Sequence, residues 1–450
     1  MNAALPLRLG LLAILATGLL GPTAARPQEH WPQFRGPQAR GVADGQNLPQ
    51  TWSATEHVAW KRDLPGLGWS CPIVWGNRVW ITTAVGSTPV ENPRKGLYLF
   101  GENLAPPDET YQWKLLCFDL HTGEQLWERV CHEGKPERAR HSKNSYASET
   151  PVTDGERVYA CFGDLGVFCY DLEGNPQWSV RWPSYRTRMG WGPAASPVCH
   201  GGRLYVVRDN EEHSHLLAID ARTGEEVWRV ERDEGSNWST PFIWENELRT
   251  EIITPGSNKV RAYDLEGQLL YEFGGMSSIA IPTPFAAGGL LYVSSGYVLD
   301  RAKPIFAVRP GAAGDISLPG EDVTSNEFIV WCQHRAGPYN TSPLVYGDYL
   351  YVLLDGGMIA CYEAHTGKEV YGRQRIPGGR AFTASPWAYD GRIFCLEEDG
   401  QTHVFEAGPE FRHLGTNPLE EDDMALATPA MAQGRLLIRT SKRLYCLAEK

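Results

Sequence analysis

Along the chain, short stretches alternate apolar and polar residues with a period of two, and each stretch is followed by a polar corner containing Gly. This is the signature of half-buried strands joined by tight turns, since successive side chains of a strand face opposite ways. One pattern recurs: "CFDLHTGEQLW" (Cys117 to Trp127), "AIDARTGEEVW" (Ala218 to Trp228) and "CYEAHTGKEVY" (Cys361 to Tyr371). Two shorter forms, "CYDLEGNPQW" (Cys169 to Trp178) and "AYDLEGQLLY" (Ala262 to Tyr271), lose one residue at the corner. Each predicts a hairpin in which Gly supplies the positive φ of a turn with a bulge. The closing ring is placed to cover the neighbouring unit.

A second pattern precedes each hairpin: a small residue or Thr, then Pro, a strand, a polar or Gly turn, and another strand. "CPIVWGNRVWI", "TPVTDGERVYA", "SPVCHGGRLYV" and "SPLVYGDYLYV" are examples. Following the proline gives Pro72, Pro151, Pro197, Pro241, Pro284, Pro343, Pro386 and Pro429, eight units spaced mostly 43 to 46 residues apart, with insertions in the first and fifth. Four strands per unit at this period predict an all-β, eight-bladed propeller of antiparallel blades. The eighth unit supplies three strands before the sequence ends, whereas "EHVAWKRDL" (Glu56 to Leu64) precedes the first unit and carries Trp60 at the position of a last-strand aromatic. The N-terminal strand is therefore expected to complete the last blade and close the ring, which removes open sheet edges.

Composition agrees. The chain has 16 Trp, 19 Tyr, 14 Phe, 47 Gly and 32 Pro, without a sustained helical period. A formal net charge of −12 argues against nucleic acid or an anionic membrane surface as partner. At the N-terminus, Arg8 precedes an apolar core from Leu9 to Leu20 and small residues lead to Ala25, which reads as a signal peptide over residues 1–25. The core is too short to span a bilayer. The expected organisation is a signal peptide (1–25), an extended N-terminal segment (26–51) in which "WPQFRGPQARG" straps the propeller with Arg35 as anchor, and one propeller domain (52–450), exported to the periplasm or beyond and monomeric. Of ten cysteines, Cys117, Cys169, Cys361 and Cys446 occupy a register where sister units carry Ala, so they read as small buried apolar residues. Pairing of Cys71, Cys131, Cys161, Cys199, Cys332 and Cys395 is left open by the sequence.

The pattern small-x-Asp-x-x-Thr-Gly-x-x-x-Trp, carried by Cys117, Asp119, Thr122, Gly123 and Trp127 and again by Ala218, Asp220, Thr223, Gly224 and Trp228, resembles the repeat of the pyrroloquinoline quinone (PQQ)-like, quinoprotein alcohol dehydrogenase-like propellers. The resemblance extends over residues 52–450. It implies the fold but not the chemistry, because that family holds both PQQ-dependent dehydrogenases and cofactor-free scaffolds such as the propeller subunit of the outer-membrane barrel assembly machine.

In blades whose strands A to D run up and down, the loops B–C and D–A share one face, and this face carries most of the elaboration: "GSTPVENPRKGLYLFGENLAPPDETY" (Gly86 to Tyr111) and "HEGKPERARHSKNSYAS" (His132 to Ser148). The residues before each inner strand should rim the channel mouth. They nominate Trp69, Arg140, Lys143, Tyr146, Glu149, Arg188, Trp191, Asn237, Trp238, Tyr339, Asn340 and Arg380 as a ligand-binding funnel for a glycan, an anionic small molecule or an envelope protein. The competing reading has these rings packing the blade entrances. No catalytic residue and no metal ligand is assigned. His213 and His215 lack a third partner, and "EEDD" (Glu420 to Asp423) reads as a solvated loop. The alternative is a PQQ- and calcium-dependent alcohol or sugar dehydrogenase, with Glu149 and Asn237 as ligands and Trp191 and Trp238 stacking. Neither adjacent cysteines nor long insertions speak for it. A third reading is a scaffold in outer-membrane protein assembly.

Overall fold

The computed structural model describes residues 1, 29–88, 92–98, 102–421 and 423–449. The signal-peptide expectation lies outside the described residues. Eight antiparallel sheets follow one another around a ring. Blade 1 comprises Ile73–Trp75, Arg78–Val85, Tyr111–Asp119 and Gln125–Gly134. Blades 2, 3, 5, 6 and 7 repeat the same consecutive order, beginning at Val152, Val198, Phe285, Leu344 and Trp387. Blade 4 (Phe242 to Phe273) gains a fifth strand, because Gly314–Asp315 of the blade 5 insertion pairs in parallel with Leu269–Phe273.

Blade 8 closes the ring as its pattern requires. Ala430–Ala432, Arg435–Arg439 and Arg443–Leu447 are completed by Val58–Asp63, with Trp60 opposite Cys446. Among the described residues no helix is long and apolar enough to cross a membrane.

The Thr-Gly corners are the seams between blades. At five seams the indole of a last strand lies on the next blade's corner Gly and donates its N–H to a corner carbonyl. Trp60 reaches Leu120 at 2.9 Å, Trp127 reaches Leu172 at 3.1 Å, Trp178 reaches Ala221 at 3.1 Å, Trp228 reaches Leu265 at 3.0 Å and Trp331 reaches Ala364 at 2.9 Å. A Cβ on Gly123 would stand 2.5 Å from Trp60, so Gly is required there for ring contact as well as for its φ of 67°. The last strands of blades 4, 6 and 7 carry no Trp; at the seam from blade 4 to blade 5 its place is taken by the blade 5 insertion, where Arg249 donates to the Ala312 carbonyl at 2.6 Å.

The N-terminal segment is folded into the ring, and it is not extended throughout. Trp31 pairs with Val74 of blade 1, a short 3-10 turn at Pro37–Ala39 abuts blades 4 and 5, and Val42 pairs with Ala388 of blade 7. Residues 31–43 thus cross the central channel from one side to the other at the face of the A–B turns. The crossing needs left-handed backbone at Arg35, Gln38 and Ala39, which the period-two pattern does not signal. Arg35 is fully buried beneath this crossing and donates to the Pro343 carbonyl of blade 6 at 2.8 Å.

All ten cysteines are free thiols. Cys117, Cys169, Cys361 and Cys446 are buried, and burial holds their thiols protonated. Asp423 of the acidic run is not solvated. It is buried against Thr440, Arg443 and Tyr445.

Candidate functional site

The residues immediately before the eight repeat prolines line the channel: Cys71, Thr150, Ser196, Thr240, Thr283, Ser342, Ser385 and Thr428; seven hydrogen bonds link them in a chain that runs from Thr283 round to Thr240. The backbone N–H of one blade donates to the side chain of the next. Cys71 N–H reaches Thr150 Oγ1 at 3.0 Å, Thr150 reaches Ser196 at 2.9 Å and Ser196 reaches Thr240 at 3.2 Å. Thr283 reaches Ser342 and Ser342 reaches Ser385, both at 2.9 Å. Ser385 reaches Thr428 at 3.0 Å, and Thr428 closes on Cys71 Sγ at 3.2 Å. Proline explains the register. It fixes the preceding residue in an extended conformation, which aims that side chain at the adjacent blade.

A hydroxyl has one donor and two acceptor sites. Thr150, Ser196, Thr240, Ser342, Ser385 and Thr428 each use one acceptor site between blades, and Thr150 and Thr428 also bond the Cys71 thiol, so the other hydroxyls of this crown are the donors left to face the channel. The space within is a cavity of about 260 Å³. Above the crown stands a collar of aromatic rings, Trp69, Trp191, Trp238 and Tyr339, with Asn340 beside them. Trp238 is fixed by its N–H bond to the Gly192 carbonyl at 2.7 Å and meets Trp191 at a centroid distance of 5.7 Å. Phe34 of the crossing segment lines the cavity from the side of the A–B turns.

Over one side of the mouth hang Gly96, Leu97 and Tyr98 from the first-blade insertion, together with His141, Lys143 and Asn144. Asn103–Leu104 of that insertion pairs with Arg140–His141. The assembly is latched to blade 7: Lys143 forms an ion pair with Glu398, and the Gly96 N–H donates to Glu398 at 2.9 Å. The Thr383 hydroxyl donates to the same carboxylate at 2.7 Å. Burial and the nearby Lys143 lower the His141 pKa to about 4, so this imidazole is neutral at pH 7.

Six of the twelve nominated residues, Trp69, Lys143, Trp191, Trp238, Tyr339 and Asn340, line this cavity. The other six stand elsewhere, five of them occupied by structural bonds. Arg140 is turned away from the channel. It lies over Tyr146 at 5.3 Å and donates to the Asn144 carbonyl at 2.5 Å, stapling its own loop. Tyr146 packs at an edge against Trp113 and bonds the Arg138 carbonyl at 3.2 Å. Glu149 is buried in a recess of about 20 Å³ with Asp164 and accepts the Gly163 N–H at 2.9 Å. Burial raises its pKa to about 8 and that of Asp164 to about 6. Asn237 donates to Asp209, which is itself held by the buried Arg232. Arg188 donates to the Ser278 carbonyl at 2.9 Å, and Arg380 is exposed.

Sequence reasoning missed Phe34, Tyr98 and the crown. The crown had a signal, the small or hydroxyl residue before every repeat proline, whereas Phe34 and Tyr98 come from segments outside the repeat.

Comparisons with known proteins agree with this architecture. Residues 166–298 match a family model described as PQQ_2, outer membrane protein assembly factor BamB. Among solved structures, BamB from Moraxella catarrhalis is similar with a TM-score of 0.52 at 11% identity, covering 82% of this chain and 100% of that one. Quinohemoprotein alcohol dehydrogenase from Comamonas testosteroni is similar with a TM-score of 0.58 at 11% identity, covering 95% of this chain and 82% of that one. No curated protein matches the sequence. The fold is an eight-bladed propeller of the kind found in an outer membrane assembly factor and in an alcohol dehydrogenase.

The residues present do not fit a PQQ–calcium pair. Calcium takes six to eight oxygen ligands, carboxylates prominent among them, and among the described residues no carboxylate lines the cavity. The carboxylate at the mouth, Glu398, is already engaged by Lys143, Thr383 and Gly96. Glu149 and Asn237, the ligands expected for the enzyme alternative, lie outside the cavity wall. Among the described residues no group of three or more His, Cys, Asp or Glu is arranged to hold a metal ion.

Proposed function

We propose that this protein is an exported recognition module, without a catalytic step of its own, that takes a glycan or a small polyhydroxylated ligand into the channel cavity. The observation that carries this reading is the pairing of an aromatic collar with a crown of hydroxyl donors inside one cavity. Flat rings offer contact area to the C–H faces of a sugar, and convergent hydroxyl and amide groups read its oxygens.

The test is calorimetric titration of the full chain with a panel of mono- and oligosaccharides, and in parallel with PQQ in the presence and absence of calcium, followed by a dye-reduction assay with alcohols and aldoses. Sugar binding without calcium-dependent PQQ binding is expected. Calcium-dependent PQQ binding with dye reduction would move the protein to the dehydrogenases.

A second reading, a scaffold for envelope protein assembly, is supported by the match of residues 166–298 to a model named for an outer membrane assembly factor. Its partner would be a protein segment laid on the same loop face or added to a blade edge. Crosslinking from Tyr98 to an envelope protein, undiminished by saturating sugar, would favour it.

A further inference from the structure

The crown sits in an unusual electrostatic setting for a chain of net charge −12. Two guanidiniums are fully buried just behind it. Arg35 bonds the carbonyl of Pro343, the residue after Ser342 of the crown. Arg439 bonds the carbonyl and hydroxyl of Ser70, the residue before Cys71 of the crown, at 2.9 Å to the carbonyl. Among the described residues neither forms an ion pair with a carboxylate, and Nε of both, with Nη1 of Arg35, is buried without a hydrogen-bond partner. The remaining neighbours of Arg35 are the Phe285 ring and the Arg40 carbonyl. Burial pulls each guanidinium down to about 9, for Arg439 against a small opposing effect of Cys71, and both stay protonated at pH 7.

An unpaired buried charge is costly, and such charges are ordinarily balanced by a partner of opposite sign. Here the cavity supplies none, since among the described residues no carboxylate lines it. What the wall does supply is hydroxyl donors whose acceptor sides are engaged between blades. Donors that converge near fixed positive charge recognise oxyanions.

We propose that the crown is an oxyanion site, and that the ligand of the channel carries a carboxylate, phosphate or sulfate group which descends past the aromatic collar to the crown between Arg35 and Arg439. The inference rests on the recognition reading and specifies its ligand class as an acidic glycan. Stacking on the collar orients the ring; the crown selects the acid.

The experiment is calorimetric titration of the full chain with three probes, D-glucuronate, D-glucose and inorganic phosphate, and competition of glucuronate by phosphate. Glucuronate is expected to bind about tenfold or more tighter than glucose, the increment of one hydrogen bond involving a charged group, with phosphate competing. Cys71→Ser, which replaces the crown's weak thiol donor by a hydroxyl, should tighten glucuronate binding a few-fold and leave glucose unchanged. Arg35→Gln should weaken glucuronate alone by about tenfold, and its melting curve will establish that it folds. Should Arg35→Gln fail to fold, Cys71→Ser and the phosphate competition still decide. Equal binding of glucose and glucuronate without phosphate competition overturns the oxyanion site and leaves the glycan reading intact. Phosphate binding with neither sugar bound keeps the oxyanion site and removes the glycan reading. Binding of none of the three removes both.

Discussion

The channel cavity and the recess behind it hold similar residue types in opposite states. In the recess, Arg140, Tyr146 and Glu149 form a cluster that looks like a site: a cation, a phenol and a carboxyl with a raised pKa. Yet Arg140 is spent on three carbonyls of its own loop, Tyr146 on another, and Glu149 on the Gly163 amide, around about 20 Å³ of space, hardly room for one water. In the channel the side chains are less conspicuous, Ser, Thr and one Cys, but they surround about 260 Å³ and keep donors in reserve. Charge and perturbed pKa mark where burial has occurred. Unspent hydrogen-bonding capacity facing open space marks where a ligand can be held.

The contrast can be broken most sharply at the collar. Trp238→Ala removes a ring from the cavity wall and should weaken sugar binding by about thirtyfold or more, the effect of a buried aromatic anchor; an unchanged dissociation constant by calorimetry would contradict the assignment. The complementary change, Arg140→Ala, should cost stability on the order of 1–3 kcal/mol through the carbonyls it leaves unbonded and leave ligand affinity unchanged, as measured by denaturant unfolding and titration of the same preparation. A loss of affinity with normal stability would place the site in the recess instead.

Glu149→Gln sharpens the comparison through pH. The folded pKa of about 8 lies above the ordinary carboxyl value of 4.5, so between these two pH values the folded state holds a proton that the unfolded state has lost. Stability therefore falls as pH rises from 4.5 to 8 on account of this group. The Gln variant should lack that part of the decline, so that at pH 8.5 it gains on the parent by a few kcal/mol, while at pH 4 the two should unfold alike. A parallel pH dependence in both proteins would sink this account of Glu149. The smallest effect on binding is expected at the mouth: Lys143→Ala breaks a largely buried latch to Glu398 and should change affinity by about fivefold or less, with a faster association rate in stopped-flow mixing. An unchanged rate would separate the latch from ligand entry.

The repeat carried the fold because its signals are local. A Thr-Gly corner, a docking Trp and a Pro-led inner strand each act within a few residues, and repetition turned them into blades and seams, including closure by Trp60. The crossing of residues 31–43 was not legible because left-handed backbone at Arg35, Gln38 and Ala39 leaves no periodic trace. At the site, sequence position before an inner strand located the collar at Trp69, Trp191, Trp238 and Tyr339, but it did not give side-chain direction. Arg140 and Lys143 are three residues apart on one loop, and only Lys143 faces the cavity. That difference is set by which carbonyls each cation finds, a tertiary matter.

The most direct measurement is a crystal structure of the protein soaked with D-glucuronate. The account predicts a sugar ring between Trp191 and Tyr339 with its carboxylate on the crown hydroxyls. Density confined to the recess around Glu149 or to the outer loops, with an empty crown, would contradict it.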